Sequence, residues 1–318
     1  MNRRSFLEKI AATGFAGIIL SLENSAAAKA GEAILRRKTS IRKGGGKFDE
    51  NLVVFISDLH CNPKGYQPEK LRKVISDILA MNPLPANVIA LGDLAYLTGQ
   101  VSEYTALKPI LQSLEDAGIN LTLAMGNHDR REEFATVFPE KAKKAVRPDR
   151  MTFIVKTPKA DFIVLDSLQQ GDDKSTWITP GAIDVPQKEW LEKTLGKYRK
   201  PVFVCAHHPL NETQIGEILI NAPACAGYIH GHNHRWTPNW IKKSYSDRRI
   251  LRLLCLPSTG HWGDIGYTEF RLEDTKATAT LRESEFFFPE PAREGEAMPE
   301  TWKAIMEDNR DQSCRFIY

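Results

Sequence analysis

Five short apolar runs in this chain each end directly in residues that bind metals or carry protons, and this repeated pairing constrains the fold most strongly. Short unbroken apolar runs are typical of strands covered on both faces, as in parallel sheets. In open α/β sheets, sites form outside the carboxyl ends of such strands. We therefore expect one shared site at one sheet edge. The runs and the segments that follow them are Leu52–Ile56 with Ser57–His60, Val88–Leu91 with Gly92–Asp93, Leu121–Met125 with Gly126–Asp129, Pro201–Ala206 with His207–Pro209, and Tyr228–His230 with Gly231–His234.

Segments with helical periodicity separate several of these runs. Pro68–Leu79 spaces its apolar residues three and four apart, and a proline suits the first turn of a helix. Ser102–Ala117 and Pro186–Tyr198 are expected to be helices as well. The alternation of strands with helices predicts an α/β fold. Later in the chain, antiparallel strands are expected at Leu251–Leu256, Tyr267–Leu272 and Ala277–Glu283.

Histidine is concentrated in the strand-end segments. Seven of the eight histidines lie in them or beside them, whereas structural histidines would be scattered. Imidazole, carboxylate and amide oxygen suit Mn, Fe or Zn, and no cysteine joins the set. A structural zinc takes four ligands, so seven candidates fit two ions that share a carboxylate, as in two-metal sites that act on phosphorus. The seven candidates are Asp58, His60, Asp93, Asn127, His207, His232 and His234.

Two pairs of these candidates are spaced by two residues, Asp58 with His60 and His232 with His234. Along an extended backbone, that spacing places both side chains on the same side. We therefore expect an extended backbone through each pair.

The composition is that of a globular protein with a sizeable core. Of 318 residues, 42% are apolar, 9% aromatic and 26% charged, which excludes a disordered chain, a collagen-like repeat and a multi-span membrane protein. Residues 1–47 hold ten Lys/Arg and three Asp/Glu, so the remainder carries 3 − 7 = −4. Binding of a nucleic-acid duplex is therefore not expected. Five scattered cysteines do not form a disulfide framework.

Residues 1–30 have the organisation of an export signal peptide. A charged start precedes a short apolar stretch, Ile10–Leu20, and a run of small residues, Ala26–Ala30. Arg3–Leu7 resembles the core of the twin-arginine signal, except that Glu8 precedes Lys9. This predicts passage through the twin-arginine machinery to the periplasm or the exterior, with no stable membrane span in the mature form. An uncleaved amphipathic anchor is the alternative, and residues 31–47 are expected to be a basic, flexible leader.

The strand-end motifs together resemble the calcineurin-like metallophosphoesterases. That family has D-x-H, G-D, G-N-H-D/E, H and G-H-x-H in this order, and all five blocks occur between Asp58 and His234. The resemblance implies a four-layer α/β/β/α sandwich with two facing mixed sheets and a dimetal site at the carboxyl edge of the strands. It places the metallophosphoesterase domain at residues 48–288, followed by a C-terminal tail at 289–318.

The resemblance also implies how the metals are held. Asp58, His60, Asp93 and His234 would bind one ion, and Asp93, Asn127, His207 and His232 the other. Asp93 bridges, because a carboxylate can span two cations and an imidazole cannot.

The implied reaction is attack of metal-bound hydroxide on phosphorus, since a bound metal lowers the pKa of water to roughly 7. His128 would protonate the leaving alkoxide, and Asp129 would orient His128. Four further residues are candidate substrate contacts, each with a structural role as the alternative: Asn62, His208, Arg131 and His261.

The segment Gly126–Phe134 and later motifs resemble the class III cyclic-nucleotide and glycerophosphodiester phosphodiesterases. A phosphodiester substrate is therefore expected, with phosphomonoesters as a further possibility. One alternative is a phosphomonoesterase similar to purple acid phosphatases, because Gly92–Tyr96 matches their GDxxY block, although those enzymes lack a histidine at the position of His60. The other alternative is a non-catalytic binding module on the same fold.

Overall fold

The computed structural model describes residues 48–242, 249–261, 263, 265–283 and 312–318. The expected signal peptide and leader lie outside the described residues. Strands are found at β1 Phe48–Ile56, β2 Leu84–Ala90, β3 Asn120–Leu123, β4 Phe153–Val155, β5 Asp161–Val164, β6 Val202–Cys205, β7 Cys225–His230, β8 Thr237–Lys242, β9 Ile250–Cys255, β10 Gly266–Leu272, β11 Lys276–Glu283 and β12 Ser313–Ile317. Helices are found at α1 Gln67–Ala80, α2 Val101–Asp116, α3 Arg131–Val137, α4 Pro139–Ala142, α5 Val185–Leu195, α6 Leu210–Thr213 and α7 Gly216–Asn221.

The strands form two six-stranded mixed sheets. The first sheet has the order β12-β11-β10-β1-β2-β3, and the second has the order β4-β5-β6-β7-β9-β8. β1, β2 and β3 run parallel, as do β5, β6, β7 and β9. The carboxyl ends of the parallel strands within each sheet thus lie along one edge, where the polar motifs follow them.

Three apolar clusters separate four layers. The first packs α1 and α2 against the outer face of the first sheet, and the third packs α5 and α7 against the outer face of the second. Between the sheets lies a cluster that includes Phe55, Phe162, Phe203 and Phe270, all fully buried. The strands next to this cluster are covered on both faces, which explains their unbroken apolar sequences. The predicted four-layer α/β/β/α sandwich is confirmed.

The last strand corrects the prediction of a tail at residues 289–318. Residues Ser313–Ile317 pair antiparallel with β11 at the edge of the first sheet. Phe316 is fully buried and its ring centroid lies 5.4 Å from those of Phe203 and Phe270. The strand was missed because it is short and follows a Pro-rich, polar segment. Among the described residues, no helix combines the length and apolarity that crossing a membrane requires.

Candidate metal centre and active site

Four of the predicted ligands form one compact group at the edge where the two sheets meet. His60 Nε2 lies 3.4 Å from Asp93 Oδ2 and 3.2 Å from His234 Nε2. His234 Nε2 also lies 3.2 Å from Asp58 Oδ1. All four residues are buried, and their ligand atoms lie within 4.8 Å of one another. This is the group that the sequence assigned to one ion.

The other predicted ligands form a second group that also meets Asp93. His207 Nε2 is 3.3 Å from Asp93 Oδ2, and His232 Nδ1 is 2.9 Å from Asn127 Oδ1. His207 and His232, together with His208, form a second group whose ligand atoms are within 4.8 Å of one another. All seven predicted ligands thus converge, and Asp93 Oδ2 lies close to a histidine of each group.

The backbone at these ligands is left-handed. Asp58, His60, Asp93, His232 and His234 have φ of 53°, 41°, 46°, 71° and 52°. Non-glycine residues rarely adopt positive φ, and such strain is concentrated at functional sites. The predicted extended backbone through the two ligand pairs is therefore wrong. Each pair lies on irregular backbone that follows its strand, and this backbone still brings both side chains into the same cluster.

Glycine allows the turns from the two sheets to approach each other. A side chain at Gly231 would place its Cβ 2.1 Å from Ser57 Oγ, which follows β1. The backbone N–H of His232 donates to Asp58 Oδ1 at 3.1 Å across the same contact. The glycine that precedes the last two ligands is thus required by the close packing of two ligand turns.

Backbone carbonyls orient two of the imidazoles. His207 Nδ1 donates to the carbonyl of Leu91 at 2.9 Å, and His60 Nδ1 donates to the carbonyl of Tyr96 at 3.0 Å. Because a carbonyl only accepts, Nε2 of each ring is left as the basic nitrogen that faces the centre. Tyr96 supplies this carbonyl, while its ring lies 5.8 Å from that of His261.

The electrostatics favour ionised carboxylates beside imidazoles. Burial opposes ionisation of Asp58, yet His234 and His207 hold its pKa below the usual value. Burial likewise opposes ionisation of Asp93, but His207 and His128 hold its pKa well below the usual value. Burial lowers the pKa of His60 to about 3. The opposite holds for His207, where Asp93 and Asp58 outweigh burial and raise the pKa to about 10.

These residues fit a pair of divalent cations. His207 Nε2 is buried and makes no hydrogen bond, although it faces Asp93. A buried polar atom without a partner is costly, and a cation at this position would satisfy it. The donors are carboxylate, amide and imidazole, which suit Mn, Fe or Zn. The five cysteines are free thiols, and none belongs to either group of ligand atoms.

Comparisons with known proteins agree with this geometry. The family model described as calcineurin-like phosphoesterase matches residues 52–236, which is more than half of the chain. The chain belongs to the calcineurin-like phosphoesterase family. The superfamily that the five motifs indicated is thereby confirmed.

A relative and two solved structures illustrate how far the likeness extends. A probable cyclic nucleotide phosphodiesterase of Rhodopseudomonas palustris is 29% identical over 171 residues, which are 50% of this chain and only 58% of that protein. A dimetal phosphatase from Danio rerio superposes with a TM-score of 0.58 at 12% identity. The aligned region covers 73% of this chain and 96% of the Danio rerio chain. A purple acid phosphatase from yellow lupin seeds superposes with a TM-score of 0.54 at 12% identity. The aligned region covers 86% of this chain and 54% of the lupin chain. The two structures share the fold.

His128 lies at the rim of this phosphoesterase site. Its ring centroid is 4.9 Å from that of His60, and its backbone N–H donates to Asp93 Oδ1 at 2.9 Å. Its Nδ1 donates to the carbonyl of Leu97 at 2.8 Å. Nε2 is therefore the nitrogen of His128 that can exchange a proton with a bound substrate.

Asp129 does not orient His128, which corrects the prediction. Its carboxylate accepts from the backbone N–H groups of Leu94, Ala95 and Gly126 at 3.1, 3.0 and 2.8 Å and from the hydroxyl of Tyr104 at 3.0 Å. Burial and the nearby Asp93 raise the pKa of Asp129 to about 7, although the three N–H groups favour its charged form. Asp129 thus joins the turns after β2 and β3.

Two of the four candidate substrate contacts are engaged within the protein. Arg131 forms a bidentate pair with Asp166 at 2.7 and 2.8 Å. His208 contacts Ser167 Oγ at 2.7 Å through Nδ1 and the carbonyl of Thr179 at 3.1 Å through Nε2. These contacts hold the segment after β5, which is the structural role given as the alternative for both residues, and their contact to substrate stays a prediction.

The other two candidates differ from each other. Asn62 Oδ1 accepts from the backbone N–H of Lys64 at 3.0 Å, so it stabilises a turn, and the contact to substrate stays a prediction. His261 lies in the site, with its ring centroid 4.7 Å from that of His60 and 5.9 Å from that of His234.

Sequence reasoning missed Trp177. Its ring centroid lies 4.9 Å from that of His128 with an interplanar angle of 36°. It comes from the long segment between β5 and α5, which has no periodicity. The only available signal was a large aromatic residue in a polar loop.

Proposed function

We propose that this phosphoesterase hydrolyses phosphodiesters, with phosphomonoesters as secondary substrates. One observation supports hydrolytic activity most directly. Two groups of donor atoms converge on Asp93, and His128 lies at their rim. The preference for diesters is supported by the motif beginning at Gly126 and by the likeness to the Rhodopseudomonas palustris protein.

The seven converging residues would hold two divalent ions of Mn, Fe or Zn. Asp58, His60 and His234 would hold one ion, Asn127, His207 and His232 the other, and Asp93 would contact both. Bound in this way, the ions supply Lewis acidity that polarises phosphoryl oxygens and lowers the pKa of water.

The chain's own residues would handle the leaving group. The carbonyl of Leu97 fixes Nδ1–H of His128, so Nε2 is the atom that carries the proton to the departing oxygen. Asp93 holds the backbone of His128 through its N–H, which couples the position of the acid to the ligand cluster. Asp129 acts indirectly, because it fixes the turns that carry Asp93 and Asn127.

The test is hydrolysis of bis-(p-nitrophenyl) phosphate by Mn-reconstituted protein. Asp93→Ala should abolish turnover, because Asp93 contacts both donor groups. Asp93→Gly serves as a second variant, since glycine tolerates the positive φ found there. His128→Ala should lower kcat by roughly 10²–10⁴-fold while metal content stays unchanged.

Three results would contradict the proposal. Activity that survives in both Asp93 variants would reject the bridging role. A strong preference for p-nitrophenyl phosphate over the diester would favour a phosphomonoesterase. Bound metal without any turnover would favour a non-catalytic binding module.

We also propose that the protein is exported to the periplasm or beyond by the twin-arginine machinery. The support is the signal-like sequence of residues 1–30. Replacing Arg3 and Arg4 together by Lys should retain the protein in the cytoplasm. Unchanged fractionation would contradict this route.

A further inference from the structure

Trp177 forms an exposed aromatic wall beside His128. The two rings lie 4.9 Å apart, yet 43% of Trp177 is exposed. A crevice next to the metal centre is lined by Trp177 together with Asn127 and His128. The indole therefore lies beside the residue that we propose as the acid.

The loop that carries Trp177 is held on both sides. The buried guanidinium of Arg130 donates to the carbonyls of Gly171 at 3.1 Å, Asp173 and Thr176 at 3.4 Å. On the other side, His208 Nε2 contacts the carbonyl of Thr179 at 3.1 Å. These contacts fix the position of the indole in advance, which lowers the entropic cost of binding against it.

Salt bridges and amide contacts extend this anchoring to α3. Lys174 Nζ lies 2.7 Å from Glu133 Oε1, and Gln170 Nε2 donates to Glu132 Oε2 at 2.6 Å. Since α3 directly follows the turn that carries His128, these contacts connect the loop to the segment of the proposed acid. Trp177 thus keeps an exposed aromatic surface at a fixed position beside the proposed acid.

We infer that Trp177 is a specificity-determining platform that stacks a planar aromatic group, such as a nucleobase, on the leaving-group side of the phosphoester. This inference rests on the proposed phosphodiesterase function and names its substrate class. In a nucleotide, the base is one sugar away from the phosphate, so a phosphate at the metal ligands places the base near the rim. Stacking on an indole accepts any base, because every base presents a π-face.

The deciding experiment compares AMP with ribose 5-phosphate, which lacks only the base. Affinities are measured by calorimetry on the Mn-loaded full chain for wild type, Trp177→Ala, Trp177→Phe and Ile178→Ala. Wild type should bind AMP about tenfold more tightly than ribose 5-phosphate. Trp177→Ala should remove this preference, and Trp177→Phe should retain most of it. Ile178→Ala is the matched control, since Ile178 is a neighbour of similar exposure without a ring.

Kinetics separate stacking from positioning of His128. The ratio of kcat/KM for 2′,3′-cyclic AMP to that for glycerophosphoethanolamine should fall about tenfold in Trp177→Ala, mainly through KM. An equal loss for both esters, through kcat and with a shifted pH profile, would show that Trp177 only positions His128 and would overturn the inference.

Binding also separates this inference from the proposed function. If wild type hydrolyses neither ester, the proposed function fails, but a base preference that depends on Trp177 still upholds the platform. A preference that survives Trp177→Ala, disappears equally in Ile178→Ala, or is absent in wild type would overturn it.

Discussion

The two sheets contribute different chemistry to the metal centre. The first sheet supplies every oxygen ligand, from Asp58, Asp93 and Asn127, along with one imidazole. The second sheet supplies only imidazoles, from His207 and the pair around Asn233. The carboxylates of the cluster therefore come from one sheet, and the other sheet contributes nitrogen donors alone. Neither sheet alone can form the site, so the site depends on how the sheets face each other.

The sheets also differ in how their ligand turns are braced. Asp129 joins two turns of the first sheet to each other through buried hydrogen bonds. The turns of the second sheet are held instead by the first sheet, since His207 donates to the carbonyl of Leu91 and the N–H of His232 donates to Asp58. We therefore expect the ligand segments of the first sheet to keep their conformation by themselves. Those of the second sheet should depend more on the ions bound between the two sheets.

Metal removal should have the largest effect on this arrangement. Ions held by both sheets stabilise only the folded state, and binding at 1,000 times Kd contributes about 4 kcal/mol. Since unfolding entropy is about 2.1 cal/mol/K per residue, chelation should lower Tm by roughly 6 °C. Differential scanning calorimetry with and without EDTA measures this shift.

Ligand variants from each sheet act as controls for that shift. Asp93→Gly should show no response to EDTA, and His232→Gly should keep part of it, because Asp93 contacts both donor groups and His232 only one. A chelated protein that loses activity at unchanged Tm would show that the ions do not join the sheets.

Asp129→Asn should destabilise the ligand segments of the first sheet and leave those of the second sheet unchanged. An amide oxygen cannot accept from all three backbone N–H groups and Tyr104, and the new N–H₂ would face buried donors. We expect a loss of about 3 kcal/mol in the free energy of unfolding, measured by urea denaturation. Tyr104→Phe removes one donor alone and should cost about 1 kcal/mol. Unchanged stability with a shifted pH profile of kcat would restore the role of Asp129 in orienting His128.

Replacing Lys70 should have the smallest effect on stability. Lys70 lies in α1, in the helical layer that covers the first sheet. Burial lowers its pKa to about 8, and its ammonium donates to the carbonyl of His261 at 3.4 Å. The unfolded chain therefore binds this proton more tightly, so stability should rise with pH between about 8 and 10.5. Lys70→Met should be more stable than wild type by roughly 1–2 kcal/mol below pH 8.

That advantage of Lys70→Met should disappear as pH approaches 10.5, the ordinary value for lysine. Unfolding by urea across this pH range measures the difference. Lys73→Met, on the same helix but paired with Asp77 at 2.6 Å, is the control. A constant difference for Lys70→Met at every pH would show that its ammonium remains charged in the folded protein.

The sequence was sufficient to predict which side chains converge because parallel strands impose a common edge. Five apolar runs predict which strand ends lie together. The possible metal ligands that follow these strands are then expected to converge at that edge. The turn geometry was not predictable by the same reasoning, since strand periodicity ends before Asp58 and His232 and both adopt positive φ. Aspartate and histidine tolerate that conformation better than most residues, which could have been a signal.

The rim was predicted less well because its contacts come from tertiary structure. Arg131 follows the ligands in sequence, but its partner Asp166 follows β5 in the other sheet. His208 is next to a ligand, yet Ser167 and Thr179 engage both of its ring nitrogens. No local pattern indicates how the segment between β5 and α5 folds over the site.

The last strand has a consequence for when this molecule matures. A Cβ at Gly227 would lie 2.6 Å from the ring of Phe316, so the ring fills the space above β7 and contacts both sheets. While the chain is still being synthesised, and before residue 316 leaves the ribosome, the interior is open at this point. The ring closes the interior only once nearly all other strands are present. The layer between the two sheets can therefore be completed only after this segment has been translated.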